Sequence, residues 1–146
     1  MILGVGKTPA QVAAIADKIV ASGQALLVTR AQPEAYAAVR AVVPSAVYHE
    51  EARAITLRQG EIPRGAGTVL IACAGTSDLP VAEEAAVTAD LMGNDIDRLY
   101  DVGVAGLHRL LVEQPRLQRA RVIVVVAGME GALPSVVAGL VRVPVI

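Results

Sequence analysis

Two apolar segments, at residues 69–73 and 122–126, each run directly into a glycine-containing turn that is followed by a helical pattern. An unbroken apolar segment of this length is typical of a strand buried on both faces, as in parallel sheets covered by helices. Because the carboxyl ends of parallel strands share one sheet edge, both turns should meet there. A helix that begins at such a turn directs backbone N–H groups and partial positive charge outward. The two turns therefore predict an anion and nucleotide site.

The rest of the chain alternates in the same way. Strands are predicted at residues 2–5, 25–28, 68–72, 97–100, 122–126 and 144–146, and helices at residues 9–21, 33–42, 80–92, 106–113 and 133–141. Thr8 is placed to cap the first helix, and Gly23 is placed to end it. Residues 45–67 fit least well, with candidate short strands at 47–49 and 55–57 and a loop at 61–67. We predict one α/β domain over residues 1–146, with a parallel sheet between two helical layers.

Composition excludes several classes of function. Thirteen basic and fourteen acidic residues give a net charge of −1, and Phe and Trp are absent, so nucleic acid is not an expected partner. A single cysteine, Cys73, excludes an internal disulfide and a multi-cysteine zinc site. No stretch approaches the ~20 apolar residues of a membrane span, so we expect a cytoplasmic protein without membrane contact. The 54% hydrophobic content predicts strands buried on both faces or surface buried between subunits, and we expect a homo-oligomer.

The first turn contains Gly75, Thr76, Ser77, Asp78 and Pro80. Its free amides and hydroxyls could hold a phosphate, and its carboxylate could accept hydrogen bonds from ribose hydroxyls. The alternative is that Ser77 or Asp78 only caps the helix that follows.

The second turn contains Gly128, Met129, Glu130 and Gly131. Glu130 follows a strand that should be central and dry, and partial desolvation would raise its pKa toward a value useful for proton transfer. A solvated loop glutamate is the alternative interpretation.

A third loop, between the two turns, contains Asp101, Gly103, Val104 and Gly106. Asp101 ends the intervening strand, so it lines the same sheet edge or caps the next helix. We include all four residues among the candidate substrate-binding residues.

Other reactive side chains have simpler interpretations. His108 is expected to be a structural helix residue, His49 a surface residue among acids, and Cys73 a small buried hydrophobe. Lys7 and Arg30 receive no assigned role. Residues 4–8 do not form a phosphate-binding P-loop, because the first glycine of that motif would fall on position 1, which is methionine.

Three segments, at residues 74–85, 98–109 and 125–135, closely resemble the LarB proteins of nickel-pincer cofactor biosynthesis. Residues 6–9 and 28–30 fit the same family, so the resemblance covers nearly the whole chain. The turns at 75–80 and 128–134 are more distantly similar to loops of the PurE class of aminoimidazole ribonucleotide (AIR) carboxylases and mutases. This relation implies a flavodoxin-like, three-layer αβα fold.

The LarB resemblance implies carboxylation of nicotinic acid adenine dinucleotide at C5 of its pyridinium ring, using CO₂ or bicarbonate. Hydrolysis of the phosphoanhydride then gives pyridinium-3,5-biscarboxylic acid mononucleotide and AMP. The family dearomatises the ring through a cysteine adduct, and Glu130 matches the acid that removes the ring proton. The resemblance also implies an octamer and Mg²⁺ at the phosphates, with no organic cofactor. A carboxylate pair such as Asp78 and Glu130 could hold that Mg²⁺.

The chain differs from the family in two ways. Family members have an additional N-terminal region, and they continue past the last strand to the nucleophilic cysteine, so the chain is expected to be a fragment. Two other functions stay open. A PurE-type carboxylase or mutase is disfavoured because its Ser-Ala-His-Arg loop is replaced by residues 102–106, and a nucleotide-binding or assembly module without catalysis is the third possibility.

Overall fold

In the computed structural model, which describes Met1–Ile146, the chain forms two compact units, Met1–Pro63 and Arg64–Ile146. Each unit has its own sheet and its own hydrophobic core. This arrangement differs from the single sheet and single domain that the sequence led us to expect.

The N-terminal unit contains a four-stranded mixed sheet with the order β1-β2-β4-β3. Its strands are β1 (Ile2–Leu3), β2 (Leu26–Thr29), β3 (Val47–His49) and β4 (Ala54–Leu57). β1 and β2 are parallel, whereas β4 pairs antiparallel with both β2 and β3. The β3–β4 hairpin therefore occupies the side of β2 opposite β1, and the chain forms two sheets in place of the single sheet that was predicted.

Two helices complete this unit, α1 (Pro9–Ala21) and α2 (Pro33–Val42), and both have the predicted bounds. Thr8 caps α1 as predicted: its hydroxyl accepts a hydrogen bond from the Gln11 backbone N–H at 3.3 Å, and the Gln11 side chain accepts one from the Thr8 N–H at 2.9 Å. Proline in the first turn suits both helices because no N–H is needed there. The helices and the sheet share a core that includes Val12, Ala16, Leu26, Val28, Val39 and Ile55.

The C-terminal unit contains a parallel sheet with the order β6-β5-β7. Its strands are β5 (Thr68–Cys73), β6 (Asp95–Leu99) and β7 (Val122–Val126), and a parallel bridge joins Ile123 to Val145 beyond β7. Its helices are α3 (Leu79–Leu91), α4 (Leu107–Val112), α5 (Gln114–Arg119) and α6 (Ala132–Leu140). The short helix α5 was not predicted, and α4 begins only after a 3₁₀ turn at Val104–Gly106.

The central strand β5 is buried on both faces. Leu70 and Ala72 pack in one core with residues of α4, α5 and α6, whereas Ile71 and Cys73 pack in the other with Ala82 and Ala86 of α3. Complete burial of a leucine or isoleucine side chain contributes roughly 1.5–3 kcal/mol. The predicted three-layer αβα arrangement of the flavodoxin-like and PurE-like type is thus confirmed. None of the helices combines the length and the apolar character needed to cross a membrane.

Candidate functional site

The loops that follow β5, β6 and β7 line one cavity of about 250 Å³ at the carboxyl edge of the parallel sheet. The structure therefore brings together the turns that the sequence singled out. The predicted site residues that line this cavity are Gly75, Ser77, Asp78, Gly103, Val104, Gly128, Met129 and Glu130. The remaining predicted residues do not line it: Thr76, Asp101, Gly106 and Gly131 lie in the same loops, and Pro80 lies in the first turn of α3.

Asp78 connects the first and second turns. One of its carboxylate oxygens, Oδ2, accepts a hydrogen bond from the Gly75 backbone N–H at 3.0 Å. The other, Oδ1, accepts one from the Gly128 backbone N–H at 2.9 Å. Asp78 directly precedes α3 but makes no side-chain capping bond to that helix. The simple helix-cap interpretation is therefore wrong, because the carboxylate joins two loops.

Backbone hydrogen bonds join the third loop to the end of β5 and to the residue that follows it. The Val102 N–H donates to the Cys73 carbonyl at 3.2 Å, and the Gly103 N–H donates to the Ala74 carbonyl at 3.0 Å. A Cβ at position 103 would lie 2.9 Å from the Ala74 oxygen, closer than real Cβ contacts come. Only glycine therefore allows this loop to cross the end of β5 so closely.

Arg109 lines the cavity and was not among the predicted site residues. Its guanidinium Nη2 lies 3.3 Å from Asp101 Oδ1, and the guanidinium also passes over Gly106, where a Cβ would come within 2.8 Å of it. Asp101 therefore does not cap the next helix, which begins after Gly106. Asp101 and Gly106, although outside the lining, together position a cation at the cavity. The available sequence signal was a basic residue in the first turn of the helix that follows a candidate loop.

Glu130 lines the cavity but is solvent-exposed in this chain, as are Gly128 and Met129. The expectation that the strand behind Glu130 would exclude water is wrong, because the turn carries this residue past the end of β7. Met129 has a positive φ of 45° and its side chain is 103% exposed. Any desolvation of Glu130 must therefore come from a ligand or from another chain.

The other candidate side chains, those of Cys73, His108 and His49, do not line the cavity. Cys73 is fully buried, and burial raises the pKa of its thiol, so it is the small hydrophobe that was predicted. His108 is exposed on α4 and does not line the cavity. His49 is half-buried, with Nε2 2.8 Å from the Thr56 hydroxyl, so its expected surface position is corrected to a cross-strand contact.

The chain has no cluster of three side chains suited to hold a metal ion. Within the cavity, each Asp78 carboxylate oxygen accepts one hydrogen bond from a backbone N–H group, and each keeps a second lone pair. The Mg²⁺ implied by the resemblance stays a prediction, and the substrate phosphates would have to supply most of its ligands.

Comparison with known proteins identifies two families that match this chain. Residues 1–59 match the LarB/PurE-like N-terminal domain, and residues 68–146, more than half of the chain, match the AIR carboxylase family. The chain belongs to the AIR carboxylase family. Because the two matches follow one another along the chain, it is a LarB-like protein with a PurE-like domain. All residues that line the cavity lie within this PurE-like domain.

One relative is an uncharacterized protein of Methanocaldococcus jannaschii, which is 56% identical over 82 residues. The aligned region is 55% of this chain and 32% of the relative. The chain thus matches about a third of that relative's length.

Proposed function

We propose that the 250 Å³ cavity is the carboxylation site of a LarB-type enzyme. Its substrates would be nicotinic acid adenine dinucleotide and CO₂ or bicarbonate, and its products pyridinium-3,5-biscarboxylic acid mononucleotide and AMP. The observation that supports this proposal is the convergence of three loops, each with a LarB-like motif, on one cavity.

The size and lining of the cavity suit one end of a dinucleotide. Ligand pockets usually measure roughly 300–1,000 Å³, so a cavity of about 250 Å³ accommodates a pyridinium ring with its neighbouring ribose rather than the whole molecule. Arg109 is the cation of the lining, and a guanidinium forms paired hydrogen bonds to a phosphate or carboxylate. We assign the nicotinate end to this cavity and an anionic group of the substrate to Arg109.

The chemistry assigned to this chain is removal of a ring proton. A pyridinium ring is too electron-poor to attack CO₂, so a nucleophile must first add to the ring and turn it into an enamine. The enamine carbon C5 then forms the bond to CO₂. Glu130 takes the C5 proton, and the electron pair of that C–H bond restores the aromatic ring as the nucleophile leaves.

Cys73 does not fit the role of that nucleophile. Its sulfur is fully buried in the core between β5 and α3, and burial favours the neutral thiol over the thiolate. The proposal therefore assigns proton transfer to this chain and leaves the covalent step to the cysteine that the LarB resemblance implies.

The test uses the full-length protein with nicotinic acid adenine dinucleotide and ¹³C-bicarbonate, with products resolved by mass spectrometry. We expect ¹³C in a carboxylated mononucleotide, together with AMP. Glu130→Gln keeps the side-chain shape and removes the base, so the carboxylated product should fall by on the order of 10²-fold or more while dinucleotide binding persists. Glu61→Gln, at an exposed glutamate in the other unit, is the matched control.

Each alternative outcome has a clear meaning. Product formation at the native rate by Glu130→Gln would remove the base assignment, and Asp101 and His108 would be examined next. Carboxylation of aminoimidazole ribonucleotide in place of the dinucleotide would favour the second candidate, a PurE-type carboxylase or mutase, which the match over residues 68–146 supports. Dinucleotide binding without any turnover would favour a non-catalytic nucleotide-binding module.

We also propose that the protein assembles as a homo-oligomer, an octamer by resemblance to the PurE class. Large apolar side chains are exposed in the C-terminal unit, including Met129 at 103% and, on α4, Leu107 at 41% and Leu111 at 45%. Exposed apolar surface of this kind is typical of interfaces. Multi-angle light scattering of the full-length protein measures the subunit number, and a monomer would contradict the proposal.

A further inference from the structure

The N-terminal unit has a cavity of its own, about 440 Å³ in volume. It lies where the parallel strands β1 and β2 end and where the loops to α1 and α2 begin. In open α/β sheets, crevices outside the carboxyl ends of parallel strands are the usual places for ligands. The volume is within the range of small-molecule pockets. This cavity lies outside the region that matches AIR carboxylases.

Two cations line this cavity, Lys7 from the first loop and Arg30 from the second, against one acid, Glu34. The Lys7 ammonium donates to the Leu3 carbonyl at 3.0 Å, which uses one of its three N–H groups and holds the flexible side chain at the cavity. A compact ammonium beside a planar guanidinium is a combination suited to phosphate, which accepts hydrogen bonds on several oxygens.

The backbone of both loops is held in unusual conformations. Gly6 has a φ of +78°, and Arg30 has a φ of +50° although it is not a glycine. A residue with a side chain rarely adopts such a conformation, because its Cβ comes too close to a neighbouring backbone carbonyl oxygen. Neighbouring bonds fix the Arg30 region, because the Ala31 N–H donates to the Arg53 carbonyl at 2.7 Å and Gly4 N–H donates to the Thr29 carbonyl at 2.8 Å. The fold thus maintains Arg30 at the cavity in a conformation that its sequence does not favour.

We propose that this cavity binds the phosphate or pyrophosphate group of a small phosphorylated metabolite. The two cations carry this inference, and the starts of α1 and α2 at the cavity add partial positive charge. The proposal goes beyond the carboxylation site and does not depend on it, since all of its residues belong to the other unit.

The test is a titration of the full chain with inorganic pyrophosphate, followed by backbone amide NMR at constant ionic strength. Saturable shifts are expected at residues 4–7 and 30–35. Lys7→Gln and Arg30→Asn should each weaken pyrophosphate binding about tenfold or more, since a charge-assisted hydrogen bond is lost. Asn is chosen at position 30 because it tolerates positive φ. Arg40→Asn, at an exposed residue in the last turn of α2, is the control for loss of one positive charge in the same unit.

The direction in which a third substitution changes the affinity for pyrophosphate tests whether the ligand is an anion. Glu34→Gln removes the acid of the lining, so it should tighten pyrophosphate binding if the cavity takes an anion. Weaker binding by this variant would overturn the proposal. It would also be overturned by shifts confined to residues 74–78 and 128–133, by shifts that sodium chloride reproduces, or by equal weakening in Arg40→Asn.

Discussion

The side chain of Asp78 accepts a hydrogen bond from the backbone N–H of Gly128, which lies fifty residues later in the chain, at 2.9 Å. Because its second oxygen accepts from Gly75, one carboxylate fixes the separation of two loops that have no sequence proximity. The loops on either side of the cavity are thus positioned before any ligand arrives, and preorganisation of this kind lowers the cost of binding.

Asp78→Ala should reduce the free energy of unfolding of the C-terminal unit by about 1–3 kcal/mol, because two backbone N–H groups lose a charged acceptor. It should also weaken binding of the dinucleotide, since no side chain then holds the two loops at a fixed separation. Urea unfolding followed by circular dichroism, with calorimetry for binding, measures the two effects. Asp17→Ala, at an exposed residue of α1, should change neither by a measurable amount. If Asp78→Ala behaved like Asp17→Ala, the carboxylate would not hold the loops together in solution.

Gly103→Ala should lower the stability of the fold, whereas Gly75→Ala should weaken ligand binding. The added methyl group at position 103 meets the Ala74 carbonyl oxygen at 2.9 Å, so this variant should lose about 1–3 kcal/mol of stability. At position 75 the methyl group meets nothing within 4 Å, and φ is −156°, so stability should hardly change. Because Gly75 lines the cavity, that methyl group should instead reduce dinucleotide affinity. Equal thermal shifts in the two variants would contradict this distinction.

Arg109→Gln should lower dinucleotide affinity about tenfold or more, because a charge-assisted hydrogen bond to the substrate is lost. The Arg109 side chain is 45% exposed and Asp101 is 68% exposed, so their ion pair contributes little to stability and the variant should unfold like the parent. Calorimetric titration gives the affinity, and Arg119→Gln, at an exposed residue of α5, controls for net charge. An unchanged affinity would restrict Arg109 to its contact with Asp101.

The C-terminal unit should lose stability in acid partly through Asp97. The Arg116 guanidinium donates hydrogen bonds to the Asp97 carboxylate, and these hold the pKa of that carboxyl below its ordinary value. The unfolded chain therefore binds this proton more readily, so the contribution is present above about pH 4 and is lost as pH falls through the folded pKa. Both side chains are about a third exposed, which limits the effect to at most about 1 kcal/mol.

Arg116→Gln should flatten this part of the stability profile in urea titrations between about pH 2 and 5. Arg64→Gln breaks the more exposed pair with Asp95 and should leave the profile nearly unchanged. Identical profiles for Arg116→Gln and the parent protein would show that Asp97 does not govern the acid response.

Local signals in the sequence predicted most individual elements. The bounds of α1 and α2 followed from Thr8, Gly23 and the prolines in the first turns, and β7 followed from its unbroken valine-rich run. The separation into two sheets was not predictable in this way, because it depends on which strands pair, and the choice of strand partner gives little signal in the local sequence. Helix α5 was missed because its one buried apolar residue, Leu117, gives no helical periodicity.

The site was predictable where the candidate residues directly follow a predicted strand in the sequence. Both glycine turns reach the same cavity because the strands before them are parallel neighbours, which the apolar runs had indicated. Arg109 was missed because its place at the cavity depends on contacts with Asp101 and Gly106 that only the folded loop creates. The expected burial of Glu130 was wrong because burial of a strand does not extend to the residues beyond its end.

Two hydrogen bonds hold the second turn, and both are donated by backbone groups, the Gly128 N–H and the Gly131 N–H. Met129 and Glu130 lie between these anchor points, and neither side chain is needed for them. A combinatorial library at position 129 would therefore vary the surface of the cavity while its frame and the proposed base, Glu130, are kept. This loop is the place from which to begin changing the substrate range of the protein by directed evolution.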